Sequence, residues 1–378
     1  MADQPYSLQP PAQRSGTQSN TFDRLKSFGL IGSCPYVLVQ TKVTNKKSTI
    51  YDLAAKANVS ASTVSAIVNG TWKNRRIAEA TAERVLELAE KLKYSVNRQA
   101  RGLRRSRSGL IGMIVPMHDN RFFSAMSQTF EALARERHLH PMVVSTLRDP
   151  RLEVETVRTL ISYQVECIVV TGATDPDAVS RICSHHGVAH VNVDLPGKLA
   201  PSVISDNLWG AQQLAAQLIE CSVPQDSPDR NRIYFVGGIA SDHNTMRRIE
   251  GFRQAISAAF GSVEVEQINA CGYEADRAEA AVRALYKRLG GLPRGLFVNS
   301  TIALEGVVRS LRGLPLAEIR QCAIGSYDWD PFANFLSVPI VMVKQNIPRL
   351  LGEAFGMIDT GKFPKGRVIE VRPELVQG

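Results

Sequence analysis

The chain has 378 residues, 44% hydrophobic and 21% charged, which is enough for two or three domains with a sizeable buried core. Its net charge of +9 is unevenly placed: Gln40 to Arg107 holds 15 Lys and Arg against 5 Asp and Glu, residues 1–39 add +1, and everything after Arg107 sums to −2. A basic segment on a near-neutral body excludes a generally basic protein and points to a polyanion partner for one small part of the chain.

Residues 1–46 are rich in Gln, Ser, Pro and Thr, with one weak apolar patch from Phe28 to Val39. They read as a disordered extension, or as the product of a start codon assigned too far upstream. The first residues lack the basic and apolar regions of an export signal, and no apolar run is long enough to cross a bilayer. The six cysteines (Cys34, Cys167, Cys183, Cys221, Cys271, Cys322) are scattered without a CxxC pair. Reduced thiols and a cytoplasmic setting are expected.

From Thr49 the pattern becomes helical. Leu53, Ala54, Ala57, Val64, Ile67 and Val68 recur at helical spacing on either side of a break at Asn58-Val59-Ser60. Thr49 is placed to cap the first helix with Asp52 reciprocating, and Ser60 to cap the second. Two short helices around a tight polar turn describe a helix-turn-helix. A basic wing follows at Thr71–Arg76. A third helix is predicted from Glu79 to Lys93, with Val85, Leu86, Ala89 and Leu92 as its core stripe. The next segment, Tyr94–Arg107, is basic and poor in core residues, and Gly102 weakens any helix there. It reads as a hinge that folds on DNA.

From Leu110 apolar strands alternate with amphipathic helices. Strands are predicted at Ile111–Val115, Met142–Ser145, Cys167–Val170 and Val188–Val193, then at Ile233–Val236, Val263–Ile268, Gly295–Val298 and Gln321–Ile324. Between them lie helices near Phe123–His138, Leu152–Tyr163, Ala178–His186, Leu208–Cys221, Met246–Ala259, Ala275–Leu289 and Ile302–Leu311. Two consecutive βα sets suggest two Rossmann-like lobes with parallel sheets, and a ligand cleft beyond the strand ends.

An ordered series of short motifs now carries a resemblance. It comprises Ile50-Tyr51-Asp52-Leu53-Ala54, Val59-Ser60, Thr63-Val64-Ser65, Asn69-Gly70, Ala100-Arg101-x-Leu103 and Ile111-Gly112-x-Ile114-Val115-Pro116. Asn120-Arg121-Phe122-Phe123, Arg248-x-x-Gly251-Phe252 and Gly325-x-Tyr327-Asp328 follow. From Thr49 to roughly its C-terminus the chain resembles the lactose repressor-type (LacI/GalR) family of transcription regulators.

The resemblance implies a small all-α helix-turn-helix DNA-binding head plus an α/β two-lobed, Rossmann-like (periplasmic-binding-protein-like) effector domain. The implied divisions are the extension over 1–46, the head over 47–94, a hinge helix and linker over 95–108, and an effector-binding and dimerisation domain over 109–378. Within the last, the N-lobe takes about 109–206 and 336–361, and the C-lobe about 207–335 and 362–378.

It further implies a homodimer that binds double-stranded DNA at a near-palindromic operator. Ala61, Ser62 and Ser65 would face base edges, while Thr49, Tyr51, Ser60, Thr63, Asn69 and Arg76 would contact phosphate or groove edge. Arg98, Arg101, Leu103 and Arg104 would act from the hinge, with Leu103 wedged into the minor groove. Ala66 stands where many members carry Arg or His, removing a guanine contact generally worth ~1–3 kcal/mol of discrimination.

In the cleft, the resemblance assigns Asn120, Phe122, Phe123, Asp194, Arg248, Asn299 and Asp328 to a small-molecule effector, a sugar or sugar derivative. At least one of the two phenylalanines is also read as plain packing. Arg148 is placed to reach the same cleft, so a phosphorylated ligand stays open. Trp329 is either a stacking wall or a hinge-region core residue. Ser300 replaces the Asp of many relatives. The expected role is a repressor of carbohydrate uptake or catabolism genes, with an activator or dual regulator of the same parts as the alternative. An extracytoplasmic sugar-binding protein is the more distant one. Neither an enzyme, a cofactor nor a metal is expected: Cys183, His185, His186 and His190 match no compact zinc spacing, and Val236-Gly237-Gly238 is not a P-loop.

Overall fold

A computed structural model describes residues 48–94 and 108–377. The chain divides into two compact units between residues 96 and 97.

In the first unit, α1 (Ile50–Ala57) and α2 (Ala61–Val68) are joined through Asn58, which takes a left-handed conformation at φ 50°. Thr49 and Asp52 form the expected capping box: the Thr49 amide donates to Asp52 Oδ2 at 2.8 Å, and the Asp52 amide to Thr49 Oγ1 at 3.2 Å. Ser60 Oγ accepts from the Thr63 amide at 3.0 Å. A 3-10 turn at Lys73–Arg75 leads to α3 (Glu79–Lys91). Leu53, Ala54, Ala57, Val64, Ile67, Ala82, Val85 and Ala89 make a core that none of the three short helices could bury alone. Leu86, expected in the stripe of α3, is 47% exposed: the buried face runs through Ala82, Val85 and Ala89, and Leu86 lies one step outside it.

The second unit opens with β1 (Leu110–Val115), α4 (Arg121–Glu136), β2 (His140–Ser145) and α5 (Pro150–Ser162). It continues with β3 (Cys167–Thr171), α6 (Pro176–His185), β4 (Ala189–Val193) and β5 (Ser202–Ser205). The chain then enters a second lobe with α7 (Asn207–Cys221), β6 (Ile233–Val236), α8 (His243–Phe260), β7 (Ile268–Asn269) and α9 (Ala275–Leu289). That lobe is extended by β8 (Gly295–Val298), α10 (Thr301–Ser310), α11 (Leu316–Ile319), β9 (Ala323–Tyr327) and β10 (Ile340–Lys344). Last come α12 (Ile347–Thr360), β11 (Val368–Val371) and β12 (Glu374–Gln377).

The strands form two sheets, ordered β11-β5-β4-β3-β1-β2 and β12-β10-β9-β8-β6-β7. All pairings are parallel except that of β12 with β10. Strands such as Cys167-Ile-Val-Val-Thr171 are buried at every position because helices cover both faces. In the first lobe α4 and α12 pack on one face and α5 and α6 on the other. In the second, α7 and α8 oppose α9 and α10. Phe235, Phe252 and Phe297 meet there at centroid distances of 5.0 to 5.7 Å.

Two expectations are corrected. The strand predicted at Val263–Ile268 is a 3-10 turn at Val265–Gln267 followed by the two-residue β7. The lobe boundaries near the C-terminus are exchanged as well. β10, expected in the first lobe, pairs with β9 of the second, and β11, expected in the second, pairs with β5 of the first. The chain therefore passes between lobes three times, at Asp206, at Gln345-Asn346 and at Arg372-Pro373. The Asp206 amide donates to the Val371 carbonyl at 2.9 Å, tying two of these passages together.

Candidate functional site

The first unit presents an exposed polar face at the start of α2. Ser60 Oγ lies 2.7 Å from Ser62 Oγ and 2.8 Å from Thr63 Oγ1, so the cap and its neighbours form one hydroxyl cluster. Tyr51 is 67% exposed. Thr49, Ser60, Ser62 and Arg76 are exposed, whereas Ala61, Thr63, Ser65 and Asn69 are half-buried. The Asn69 amide donates to the Ser65 carbonyl at 2.6 Å and to Ser65 Oγ at 3.2 Å, which fixes both side chains on the last turn of α2. Ala66 is only 4% exposed. Arg98, Arg101, Leu103 and Arg104 lie outside the described residues.

The second unit gathers charged side chains from both lobes around one polar cavity. Strand ends of the first lobe supply Asn120, Arg148, Asp194 and Leu195, and α4 supplies Phe122 and Phe123. From the second lobe come Asp242, Asn244 and Arg248 at the start of α8, then Tyr273, Ser300 and Asp328, with Gln345 at a passage between lobes. The space enclosed is about 30 Å³, room for about one water. A ligand of several carbons needs the side chains or the lobes to part.

Arg248 is the hub. Its Nε donates to Asn207 Oδ1 at 2.8 Å, its Nη1 to the Asn299 carbonyl at 2.7 Å, and its guanidinium lies 3.6 Å from the centroid of the Tyr327 ring. Burial works against this charge, but Asp328, Tyr327, Tyr273 and Asp194 more than offset it, and its pKa is raised. The Arg248-x-x-Gly251-Phe252 motif is explained by three different demands. Arg248 enters the site, and Phe252 joins the aromatic cluster. At Gly251 a Cβ would run into the Leu208 carbonyl of α7, so only glycine permits that approach.

Two hydrogen-bonded chains line the walls. Asn207 Nδ2 donates to Asn244 Oδ1 at 3.0 Å, and Asn244 Nδ2 donates to Asp194 Oδ1 at 2.8 Å. Tyr273 OH donates to Asp242 Oδ2 at 2.6 Å and lies 3.0 Å from Thr245 Oγ1. Gln345 Nε2 donates to Asp328 Oδ1 at 2.6 Å. Arg148 lies between Phe123 and Tyr273, 5.9 and 4.8 Å from their ring centroids. Arg148 Nε and Gln345 Oε1 are buried and have no hydrogen-bond partner. At the cleft mouth Arg121 Nε reaches Asp330 Oδ2 across the lobes at 2.9 Å.

Burial, helped by Asp242, pushes the Asp194 carboxyl up to about 7 against the pull of Arg248 and Arg148. Burial also raises Asp328, although Arg248 and Gln345 favour its charged form. Arg148, Asp194 and Asp328 all hold left-handed backbone, with φ of 56°, 78° and 67°. Three non-glycine residues in that region around one cavity are a signature of a site that the surrounding structure over-determines.

Of the nine residues assigned to the effector, seven line this cavity and two do not. The Asn299 side chain turns to Thr245, leaving only its carbonyl to hold Arg248. Trp329 packs against the second lobe's core with Lys344 Nζ 4.6 Å from its ring centroid, so of the two roles open to it, a stacking wall is corrected to a core residue. Asp242, Asn244, Tyr273 and Gln345 were not anticipated. Asn244 and Arg248 are four residues apart on one face of α8, which was a usable signal. Gln345 was hidden by the assignment of β10 to the other lobe.

Residues 49–97 match the family described as bacterial regulatory proteins, lacI family, and residues 111–333 match the periplasmic binding protein domain. The ribitol operon repressor of Klebsiella aerogenes is 49% identical over 193 residues, covering 51% of this chain and 71% of that one. The chain belongs to the lacI family of bacterial transcription regulators. Another relative, the sucrose operon repressor of Klebsiella pneumoniae, is 29% identical over 83% of this chain and 92% of its own. The solved lac repressor dimer, bound to operator and an anti-inducer, shares the fold with a TM-score of 0.71, at 20% identity over 87% of this chain and 97% of that one. As a lacI-family member the chain joins a helix-turn-helix DNA-binding head to a two-lobed binding body, and this family consists of regulators, not enzymes. Among the described residues no helix is long and apolar enough to cross a membrane.

Proposed function

We propose that this lacI-family regulator is a cytoplasmic repressor of carbohydrate uptake or catabolism genes, controlled by a sugar-like effector held between its lobes. The observation that carries the effector reading is the convergence of Arg148, Asp194, Arg248 and Asp328 from both lobes on one polar cavity. Carboxylates and guanidiniums take paired hydroxyls, and Phe122 or Phe123 covers an apolar face of the ligand. Kinship with the ribitol and sucrose operon repressors supports the carbohydrate class.

The residues proposed to meet DNA are Thr49, Tyr51, Ser60, Ala61, Ser62, Thr63, Ser65, Asn69 and Arg76, with Arg98, Arg101, Leu103 and Arg104 from the basic segment. The working form is a homodimer on a near-palindromic operator. An effector that binds one arrangement of the lobes better than another shifts operator affinity by that difference and no more.

Fluorescence anisotropy of the full chain on an operator fragment, titrated with sugars and polyols, tests the reading. The expected result is a change in operator affinity of about fivefold or more with one of them. Asp328→Ala and Arg248→Ala should retain DNA binding and lose the response. A response that survives both substitutions sinks the site assignment.

A further inference from the structure

Building on the effector reading above, we infer that the cleft takes an uncharged polyhydroxylated molecule and rejects phosphorylated sugars. The charged side chains facing the cavity are Asp194, Asp242 and Asp328 with Arg148 and Arg248, so the guanidiniums are matched by carboxylates even with Asp194, raised to about 7, partly protonated. The mouth is acidic: Asp119, Glu305 and Asp330 face Arg121, with Glu305 paired to Arg309. A phosphate dianion entering here approaches carboxylates at short range with water excluded, where like charges repel strongly.

Phosphate would need donors, and part of the cleft's set is already committed. Two nitrogens of Arg248 are spent on Asn207 and the Asn299 carbonyl, and the Asn244 amide on Asp194. Of the helix N-termini at the cavity, the other common phosphate cradle, two are capped by side chains. Asn120 Oδ1 accepts from the Phe122 amide at 2.9 Å at the start of α4, and Ser300 Oγ from the Ala303 amide at 3.3 Å at the start of α10. The start of α8 carries the Asp242 carboxylate.

The open valences match hydroxyls instead. Gln345 Nε2 must face Asp328 to donate, which leaves Oε1 as a buried acceptor without a partner. Arg148 Nε is a buried donor without one. A hydroxyl both donates and accepts, so a polyol serves this acceptor, this donor and the carboxylates together, whereas a phosphate dianion offers no proton to any of them.

The test is calorimetric titration of the full chain with five- and six-carbon polyols and sugars, each paired with its phosphate monoester, and with inorganic phosphate. The expected result is that each parent that binds does so about tenfold or more tighter than its ester, and that inorganic phosphate does not bind. Asp242→Asn and, as a second and more exposed change, Asp119→Asn should narrow that gap by weakening the repulsion. An ester that binds as tightly as its parent, or a gap unchanged in both variants, overturns the inference while leaving a carbohydrate effector intact. Failure of every parent and ester to bind overturns the carbohydrate reading itself.

Discussion

Asn244 of the second lobe donates a 2.8 Å hydrogen bond to the buried carboxylate of Asp194 in the first. Asn244 in turn accepts from Asn207, beside a chain passage, so one line of three polar side chains runs from the backbone between lobes to the cavity wall. Removing the middle residue, as in Asn244→Ala, leaves the buried Asp194 carboxylate without this donor. The expected loss is about 1–3 kcal/mol in urea unfolding, greater at pH 8 than at pH 6 because only the ionised carboxylate is stranded. Equal losses at both pH values would show that Asp194 does not carry the effect.

Asp194 also predicts the sign of a pH dependence. Its folded pKa of about 7 lies above the usual carboxylate value of 3.8, so between these limits the folded chain binds a proton that the unfolded chain does not. Stability contributed here is full below about pH 4, falls as pH rises towards 7, and is flat above. The raised Asp328 acts in the same direction. Asp194→Asn should flatten the slope of unfolding free energy between pH 4 and 7; an unchanged slope contradicts the assignment.

Arg248→Lys keeps a cation and loses the fork. One ammonium cannot bond Asn207 and the Asn299 carbonyl while lying flat over the Tyr327 ring. The expected outcome is a destabilisation of roughly 2–4 kcal/mol and loss of the effector response, with operator binding by the head retained. A melting curve and an operator titration on one preparation separate the two effects.

Gly251→Ala should destabilise the body by roughly 1–3 kcal/mol, since the added methyl meets the Leu208 carbonyl and the Ala211 methyl. Calorimetry gives the shift directly. A neutral result would mean that α7 and α8 slide apart at little cost.

Tyr51→Ala probes the head without touching its core, because the ring is largely exposed. Helix content is expected to be unchanged and stability to stay within about 0.5 kcal/mol of the parent, while operator affinity falls. Thr49→Ala should behave oppositely in the first respect, costing about 1 kcal/mol through the lost cap.

The head was legible because its determinants are local. The Thr49–Asp52 box, the Ser60 cap and the apolar spacing all lie within a few residues of the turns they define. The alternating strands and helices of the body were legible for the same reason. What local pattern does not carry is which sheet a late strand joins. β10 and β11 look alike as short apolar runs, but β10 pairs with the strand just before it, β9, whereas β11 pairs with β5, more than a hundred residues earlier. Gln345 was lost with that assignment. Trp329 and Asn299 sit beside true cavity residues in sequence, but at a strand end consecutive side chains point to opposite sides, so adjacency was a poor guide.

The three passages between lobes bear on how this regulator can be dissected. A gene fragment ending at Ser205 would encode β1 to β5 but omit α12, whose Leu350, Leu351, Ala354 and Phe355 fill the same core as Phe130. A fragment beginning at Asn207 would carry α12 and β11 with no sheet of their own to join. Neither half is therefore an uninterrupted stretch of polypeptide. Isolating one calls for a spliced or permuted gene that brings residues 347–371 back to the first lobe.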